Sequence, residues 1–295
     1  MRGIQRLMIG GAAVAALGLT VAACGSGGGS GDDGGKKKEI SIGYIAWDDD
    51  IAVTQLWKKA LESKGYTVKL TQVDIAPMFA GMAKGDIDAY LDAWLPNTHG
   101  VYWKRYGPKL EDLGTWYGPA TLGLAVPDYV KARTIADLKA QSGEYGNEIT
   151  GIEPGAGEMG LVKNKVMPAY GLTGMKLVQS STPAMLAQLK KSISQKKPIV
   201  VTLWKPHWAY SKLPIRDLTD TKGAWGQADH LHMIARKGFG KEQPQIAAWW
   251  KKFHMSDAQL AKLEADIQDA GQGKEAQGTQ TWMDANKDYV QKMTS

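Results

Sequence analysis

Cysteine is almost missing from this chain: Cys24 is the single one. That excludes an intramolecular disulfide and a multi-cysteine zinc site. Phenylalanine is scarce, with three residues, and histidine occurs five times, at His99, His207, His230, His232 and His254. His230 and His232 fall on one face of an extended run, yet no third ligand stands at a spacing that would complete a metal site. Acidic and basic side chains are scattered under a formal charge of +6, so there is no basic stripe of the kind that tracks nucleic acid. Also absent are a Gly-x-Ser-x-Gly elbow, a His-Glu-x-x-His pair and a Walker-type loop. No nucleophile stands beside a base, and nothing calls for a cofactor or a metal.

What is present begins at the N-terminus. Arg2 and Arg6 precede an uncharged apolar run over 7–22, followed by Val21-Ala22-Ala23-Cys24. A basic start, a short apolar core and small residues at the cut predict a secretory signal over 1–23. The run is shorter than the about 20 residues that span a bilayer. A cysteine directly after the small residues resembles a bacterial lipobox, which implies cleavage before Cys24 and lipidation of its sulfur. Residues 24–38 are rich in Gly and Ser and cannot bury a core, so they read as a flexible tether. Lys36, Lys37 and Lys38 either touch anionic headgroups or are simply solvated.

From Lys38 the pattern alternates between short β-rich runs and helical periodicity, which argues for parallel βαβ units. Strands are predicted over 39–45, 66–73, 87–94 and 120–127. A second series follows, with strands over 149–153, 176–180, 198–204 and 229–236. Helices are predicted over 51–64, 77–84, 135–141, 161–170 and 182–195, and the C-terminal third is helical over 246–253, 257–268 and 279–292. Asp50 reads as the cap of the first helix. On the helix over 246–253 only one of Trp249 and Trp250 is expected to face a core. Two similar halves, with the chain crossing twice, predict an α/β protein of two lobes around a cleft: 39–120 plus 238–295, and 121–237.

Ligands of such sheets sit beyond the carboxyl ends of the strands. That rule selects Trp47, the segment 94–99, the segment 154–160 and the segment 204–208. Three of the four carry a Trp, in a chain with eleven. A quaternary ammonium has no N–H to donate and is best held by aromatic faces, each contributing about 0.5–2 kcal/mol. Trp47, Trp94 and Trp204 are therefore either core residues or the walls of a cation box. Gly155-x-Gly157-x-x-Gly160 matches a dinucleotide fingerprint literally, but the next strand ends Gln179-Ser180-Ser181 without the acid that holds a ribose. What remains is a Gly-rich turn at a helix start, either an ordinary tight turn or a set of free N–H groups for an anion. His99 can donate a hydrogen bond into the cleft.

The motifs Tyr44-Ile45-Ala46-Trp47-Asp48, Asp92-Ala93-Trp94-Leu95-Pro96-Asn97-Thr98-His99, Gly151-Ile152-Glu153-Pro154-Gly155-Ala156-Gly157 and Trp204-Lys205-Pro206-His207-Trp208, with Ala235-Arg236-Lys237-Gly238-Phe239, resemble the glycine betaine/proline betaine substrate-binding proteins of ABC importers, the OpuAC-like family. The resemblance runs from about residue 38 to 253. It implies the two-lobed periplasmic-binding-protein fold (type II), each lobe a sheet flanked by helices. It implies a cation cage of Trp47, Trp94 and Trp204. It also implies a carboxylate clamp of the Gly157 and Glu158 N–H groups and His99. Glu158 stands where an apolar residue can occur, and its charge would repel a carboxylate if it faced the cleft. The implied partners are a small quaternary-ammonium ligand and a membrane permease. The implied setting is the extracytoplasmic face of the membrane, with a monomer held by its lipid. Choline or carnitine is the alternative ligand, and a surface-anchored hydrolase the alternative from another class.

Overall fold

A computed structural model describes residues 38–295, which lie within one compact unit. The expected signal, Cys24 and the tether as far as residue 37 lie outside the described residues. β1 (Glu39–Tyr44) buries Ile40 and Ile42 completely, and α1 (Asp48–Ser63) follows. α1 starts two residues before the predicted cap, so that Asp48, Asp49 and Asp50 all sit in its first turn, where the helix dipole favours negative charge. β2 (Thr67–Gln72) pairs parallel with β1. α2 (Ile75–Lys84) ends at Gly85, whose φ of 90° is the left-handed cap that glycine takes without strain. β3 (Ala89–Leu95) is buried along its whole length and runs parallel to β1; it leads to α3 (Gly100–Tyr106).

β4 (Leu110–Pro127) spans 18 residues and begins ten residues before the predicted strand. The stretch 110–119 holds Gly114 and Pro119, residues that a regular strand disfavours. In the structure it stays in the sheet through register shifts between Asp112 and Thr115, Thr115 and Tyr117, and Tyr117 and Ala120. Bulges of this kind absorb residues that a regular ladder would reject.

The second series comprises α4 (Leu138–Gln141), β5 (Glu148–Thr150), α5 (Gly157–Leu161), α6 (Met167–Tyr170), β6 (Lys176–Val178), α7 (Thr182–Ser194), β7 (Val201–Lys205), α8 (Ala209–Lys212) and β8 (Ile215–Asp217). Between α5 and α6 the helix is wound as a π-turn over Val162–Val166. The chain returns through β9 (Asp229–Arg236) and ends in α9 (Phe239–Glu242), α10 (Pro244–Lys252), α11 (Asp257–Ala270), α12 (Glu275–Ala285) and α13 (Lys287–Met293). A Ser256–Gln259 capping box starts α11.

Among the described residues, nine strands make one curled mixed sheet in the order β2-β1-β3-β9-β4-β7-β5-β6, with β8 also on β4. β4 joins two series of strands. Up to Ala120 it pairs with β9, and from Thr121 it pairs with β7 and then β8. Leu124, Val126, Ile149, Val162 and Val200 belong to a separate core on the second series. The larger core gathers β1, β3, α1, α10 and α11.

Both Trp249 and Trp250 are buried, against the expectation that only one of them would be. Trp250 stacks on Phe239 at 5.3 Å and meets Trp57 edge-on. Trp249 finds a second wall in Tyr66, at 6.5 Å and 80°. α10 is thus packed on two sides, which periodicity alone does not reveal.

Candidate functional site

The turns after β1, β3, β5 and β7 meet at the strands' carboxyl ends. Trp47, Trp94, Trp204, His99, Gly157 and Glu158 all line one small cavity, together with Asp49, Thr98, Leu122, Ile152 and Ala156. Trp47, Trp94 and Trp204 are no more than 6% exposed.

Every one of the three indoles is tethered by its N–H to a carboxylate. Trp47 Nε1 donates to Glu153 Oε2 at 3.1 Å. Trp94 Nε1 donates to Asp92 Oδ2 at 3.2 Å, and Trp204 Nε1 donates to Asp49 Oδ1 at 3.2 Å. Glu153 is itself held by the N–H and hydroxyl of Thr182, at 2.9 and 3.0 Å. With their polar edges anchored, the rings turn their faces elsewhere, and His99 stacks beside Trp47 at 5.6 Å.

His99 is completely buried. Its Nδ1 accepts the Trp94 backbone N–H at 2.9 Å, so the neutral ring carries its proton on Nε2. That Nε2 has no partner among the described residues. Burial lowers the His99 pKa to about 3, which makes it a neutral donor at any physiological pH.

Ala156, the N-cap of α5, makes no side-chain capping bond. The N–H groups of Gly157 and Glu158 open the helix, where no carbonyl of the preceding turn can accept them. A Cβ on Gly157 would lie 2.1 Å from the Thr98 carbonyl oxygen, so only glycine allows this close approach of the two segments. The Glu158 carboxyl points back towards the backbone of Gly123 and Leu203, with Asp217 near it. Burial and that acid raise its pKa well above the carboxylate range. Its surroundings thus favour the protonated, uncharged form, which lessens any repulsion of a carboxylate in the cavity.

Asp48, Asp49, Asp50 and Asp92 are all buried. Asp50 is consumed by local structure, accepting from the Ile45 N–H at 2.6 Å and the Thr54 hydroxyl at 3.0 Å. Asp48 accepts from Trp208 Nε1 at 2.7 Å and Gln268 Nε2 at 2.6 Å, and His207 Nε2 lies 3.2 Å away. The Trp208 N–H donates to Glu264 at 2.6 Å. Asp229 accepts from the backbone N–H groups of Asn97 and Thr98 and from the Thr98 hydroxyl, which fixes the turn that carries His99.

Asp92, Glu153 and Trp208 stood in the quoted motifs without a role, and Asp49 was not singled out from the sequence. Two signals were available: three consecutive acids that open α1, and a lone acid, Asp92, inside an apolar strand. His230 and His232 lie apart from the cavity. His232 Nδ1 is 2.9 Å from Asp112 Oδ2, and His230 is exposed. Among the described residues no cluster of three or more His, Cys, Asp or Glu could hold a metal ion, and no helix is long and apolar enough to cross a membrane.

A family model described as the substrate-binding domain of the ABC-type glycine betaine transport system matches residues 38–285. The chain is 35% identical over 161 residues to a glycine betaine/carnitine transport binding protein of Listeria monocytogenes, a match that spans 54% of this chain and 53% of that protein. It is 26% identical to a glycine betaine/proline betaine-binding periplasmic protein of Escherichia coli, over 76% of this chain and 78% of that one. Among solved structures, lactococcal OpuAC in its closed form with glycine betaine is 34% identical. It superposes with a TM-score of 0.81 over 87% of this chain and 99% of that one.

Proposed function

Because the chain belongs to the OpuAC family, the substrate-binding domains of ABC-type glycine betaine transport systems, we propose that its ligand is glycine betaine, held between a Trp47–Trp94–Trp204 cage and a clamp of Gly157, Glu158 and His99. One observation carries this reading. A single small cavity joins three indoles to donors that suit an anion: the unpartnered His99 Nε2–H and the first N–H groups of α5. Indole faces recognise a trimethylammonium group, and the donors recognise a carboxylate. His99 is neutral, and burial pushes the Glu158 carboxyl towards its uncharged form, which leaves the clamp polar.

Capture works by closure of two lobes, 39–120 plus 238–295 and 121–237. The change of β4's partner between Ala120 and Thr121 supports the first limit. Trp47, Trp94 and His99 then come from one lobe, and Trp204 and Gly157 from the other. The bonds Trp47–Glu153, Trp204–Asp49 and Trp208–Asp48 join the lobes. A zwitterion that touches both shifts the population towards the closed form, and that form docks on a permease. The protein is a binding protein and not an enzyme; it is a monomer, exported by the signal over 1–23 and lipid-anchored at Cys24.

Calorimetric titration of the full chain with glycine betaine, choline, carnitine and proline tests the assignment. Glycine betaine is expected to bind tightest, with choline weak for lack of a carboxylate and carnitine weak for lack of room. Preference for choline would remove the clamp from the account, and silence towards all four would remove the cage. Mass spectrometry of the exported chain tests the anchor: a mature species without a diacylglycerol on Cys24 would refute it.

A further inference from the structure

The indoles alone do not account for the charge around them. Asp49 lines the cavity, and its Oδ1 anchors Trp204 of the cage. Asp92 anchors Trp94, the next wall. The two carboxyls are within hydrogen-bonding reach of each other, and each keeps one buried oxygen, Asp49 Oδ2 and Asp92 Oδ1, that no other N–H or O–H among the described residues reaches. Two acceptors cannot satisfy one another unless one of them carries a proton. A relay results: Trp94 N–H to Asp92, Asp92 to Asp49, and Trp204 N–H to Asp49.

We propose that Asp49 and Asp92 are a pair sharing one proton, Asp92 holding the proton and Asp49 the charge, and that the Asp49 charge behind the cage is what makes the site select a cation over a neutral group of the same shape. The inference rests on the betaine-binding reading. The surroundings support the division of roles. Burial and the neighbouring Asp49 and Asp50 push the Asp92 carboxyl well above the carboxylate range. Asp49 is raised only to about 6: burial raises it, while the facing His207 and backbone N–H groups lower it. The shared proton therefore falls on Asp92, the more strongly raised of the two, and at pH 7.5 Asp49 is ionised.

The other groups that face Asp49 are Asp48 and Asp50 on its own helix, Tyr90 beside Asp92, Tyr117 on β4 and Glu264 on α11. Asp48 is engaged by Trp208, Gln268 and His207. Burial holds Asp50 and Glu264 well above the carboxylate range, and only Asp49 of this group lines the cavity. The aromatic faces supply shape and part of the attraction. A negative charge in a site of low dielectric supplies discrimination by charge.

The probe is 3,3-dimethylbutanoate, which replaces the ammonium nitrogen of glycine betaine by carbon and keeps the carboxylate. The quantity to measure is the ratio of the two affinities at pH 7.5, in the full chain and in two variants. Wild type is expected to prefer glycine betaine strongly. Asp49→Asn keeps an acceptor for Trp204 and is expected to shrink the ratio by about tenfold to a hundredfold, through loss of betaine affinity with dimethylbutanoate binding held or improved. Asp92→Asn is expected to keep the ratio within about threefold, since an amide can still donate to Asp49. If Asp49→Asn weakens both ligands equally, Asp49 merely positions Trp204 and the inference is overturned. If Asp92→Asn and not Asp49→Asn collapses the ratio, the charge sits on the wrong residue and the inference is overturned as well. A wild-type chain that binds no glycine betaine overturns the ligand reading itself, which separates the two failures.

Discussion

Replacing His99 by Ala should weaken glycine betaine and spare a trimethylammonium ligand that has no carboxylate. The ring's Nδ1 is occupied by the Trp94 N–H, and its Nε2–H has no partner among the described residues. Bound carboxylate would gain one hydrogen bond to a charged acceptor, a contact whose removal costs about 1.5–3 kcal/mol. That is a loss of about tenfold to 150-fold in affinity. Loss of the imidazole also orphans the buried Trp94 N–H, which costs about 1–3 kcal/mol of fold stability. A thermal or urea unfolding curve should therefore accompany the calorimetry, so that affinity is measured where the variant is fully folded. Choline is the control ligand: it meets the same indoles and offers His99 no anion. A further check uses pH. Because burial holds the His99 pKa near 3, the donor stays neutral from pH 5 to 8, and His99→Ala should lose the same factor at both ends. Reasoning from a neutral donor is refuted if the factor grows on acidification, as it would for an imidazolium. The clamp itself is refuted if choline and glycine betaine weaken alike.

Trp94→Ala should weaken glycine betaine by about 1–3 kcal/mol, one aromatic face plus its burial, and an unchanged titration would take Trp94 out of the cage. Gly157→Ala places a methyl group 2.1 Å from the Thr98 carbonyl oxygen; ligand affinity should fall at least about tenfold, and a crystal structure showing closure around the added methyl with full affinity would contradict this. Trp208→Phe removes a bond between the proposed lobes but no cavity wall, so it should cost about 1 kcal/mol of affinity, read as faster ligand release by stopped-flow fluorescence. The raised pKa of Asp49 bears on stability. A carboxyl whose folded pKa lies above its unfolded value favours the fold most below the unfolded value, and that advantage is lost as pH rises through the folded one. With Asp49 near 6, the ligand-free chain should gain on the order of 3 kcal/mol from this group between pH 7 and pH 4. Asp49→Asn should flatten that part of the urea-unfolding profile, and a profile identical to wild type would rule Asp49 out as its source.

Much of this architecture could be read in the sequence because its signals are local. Alternating runs marked most of the strands, and Trp47 just after β1, with Trp94 and Trp204 among the last residues of β3 and β7, fell at strand ends, where α/β sheets put ligands. The N-terminal half of β4 was hidden because Gly114 and Pro119 look like breakers, while the bulges that tolerate them depend on β9, far away in sequence. The pair Trp249 and Trp250 was expected to bury only one ring because helical periodicity counts faces on one helix and cannot see Tyr66 across from it. The carboxylates behind the cage were invisible for a similar reason. Asp49 reads as an ordinary first-turn acid until Trp204, 155 residues away, is brought against it. Asp92 looks anomalous in its strand, but its meaning comes only from the neighbours Trp94 and Asp49. Glu158 raised a question of charge that only its surroundings bear on: pressed against the backbone of β4 and β7, its carboxyl is pushed towards the protonated form.

A crystal structure of this chain grown with glycine betaine tests the central claim most directly. The account predicts the three methyl groups packed against Trp47, Trp94 and Trp204, and the carboxylate within hydrogen-bonding distance of His99 Nε2 and of the Gly157 and Glu158 N–H groups. A ligand found reversed in the cavity, or bound elsewhere with the indoles in contact only with protein, would contradict it.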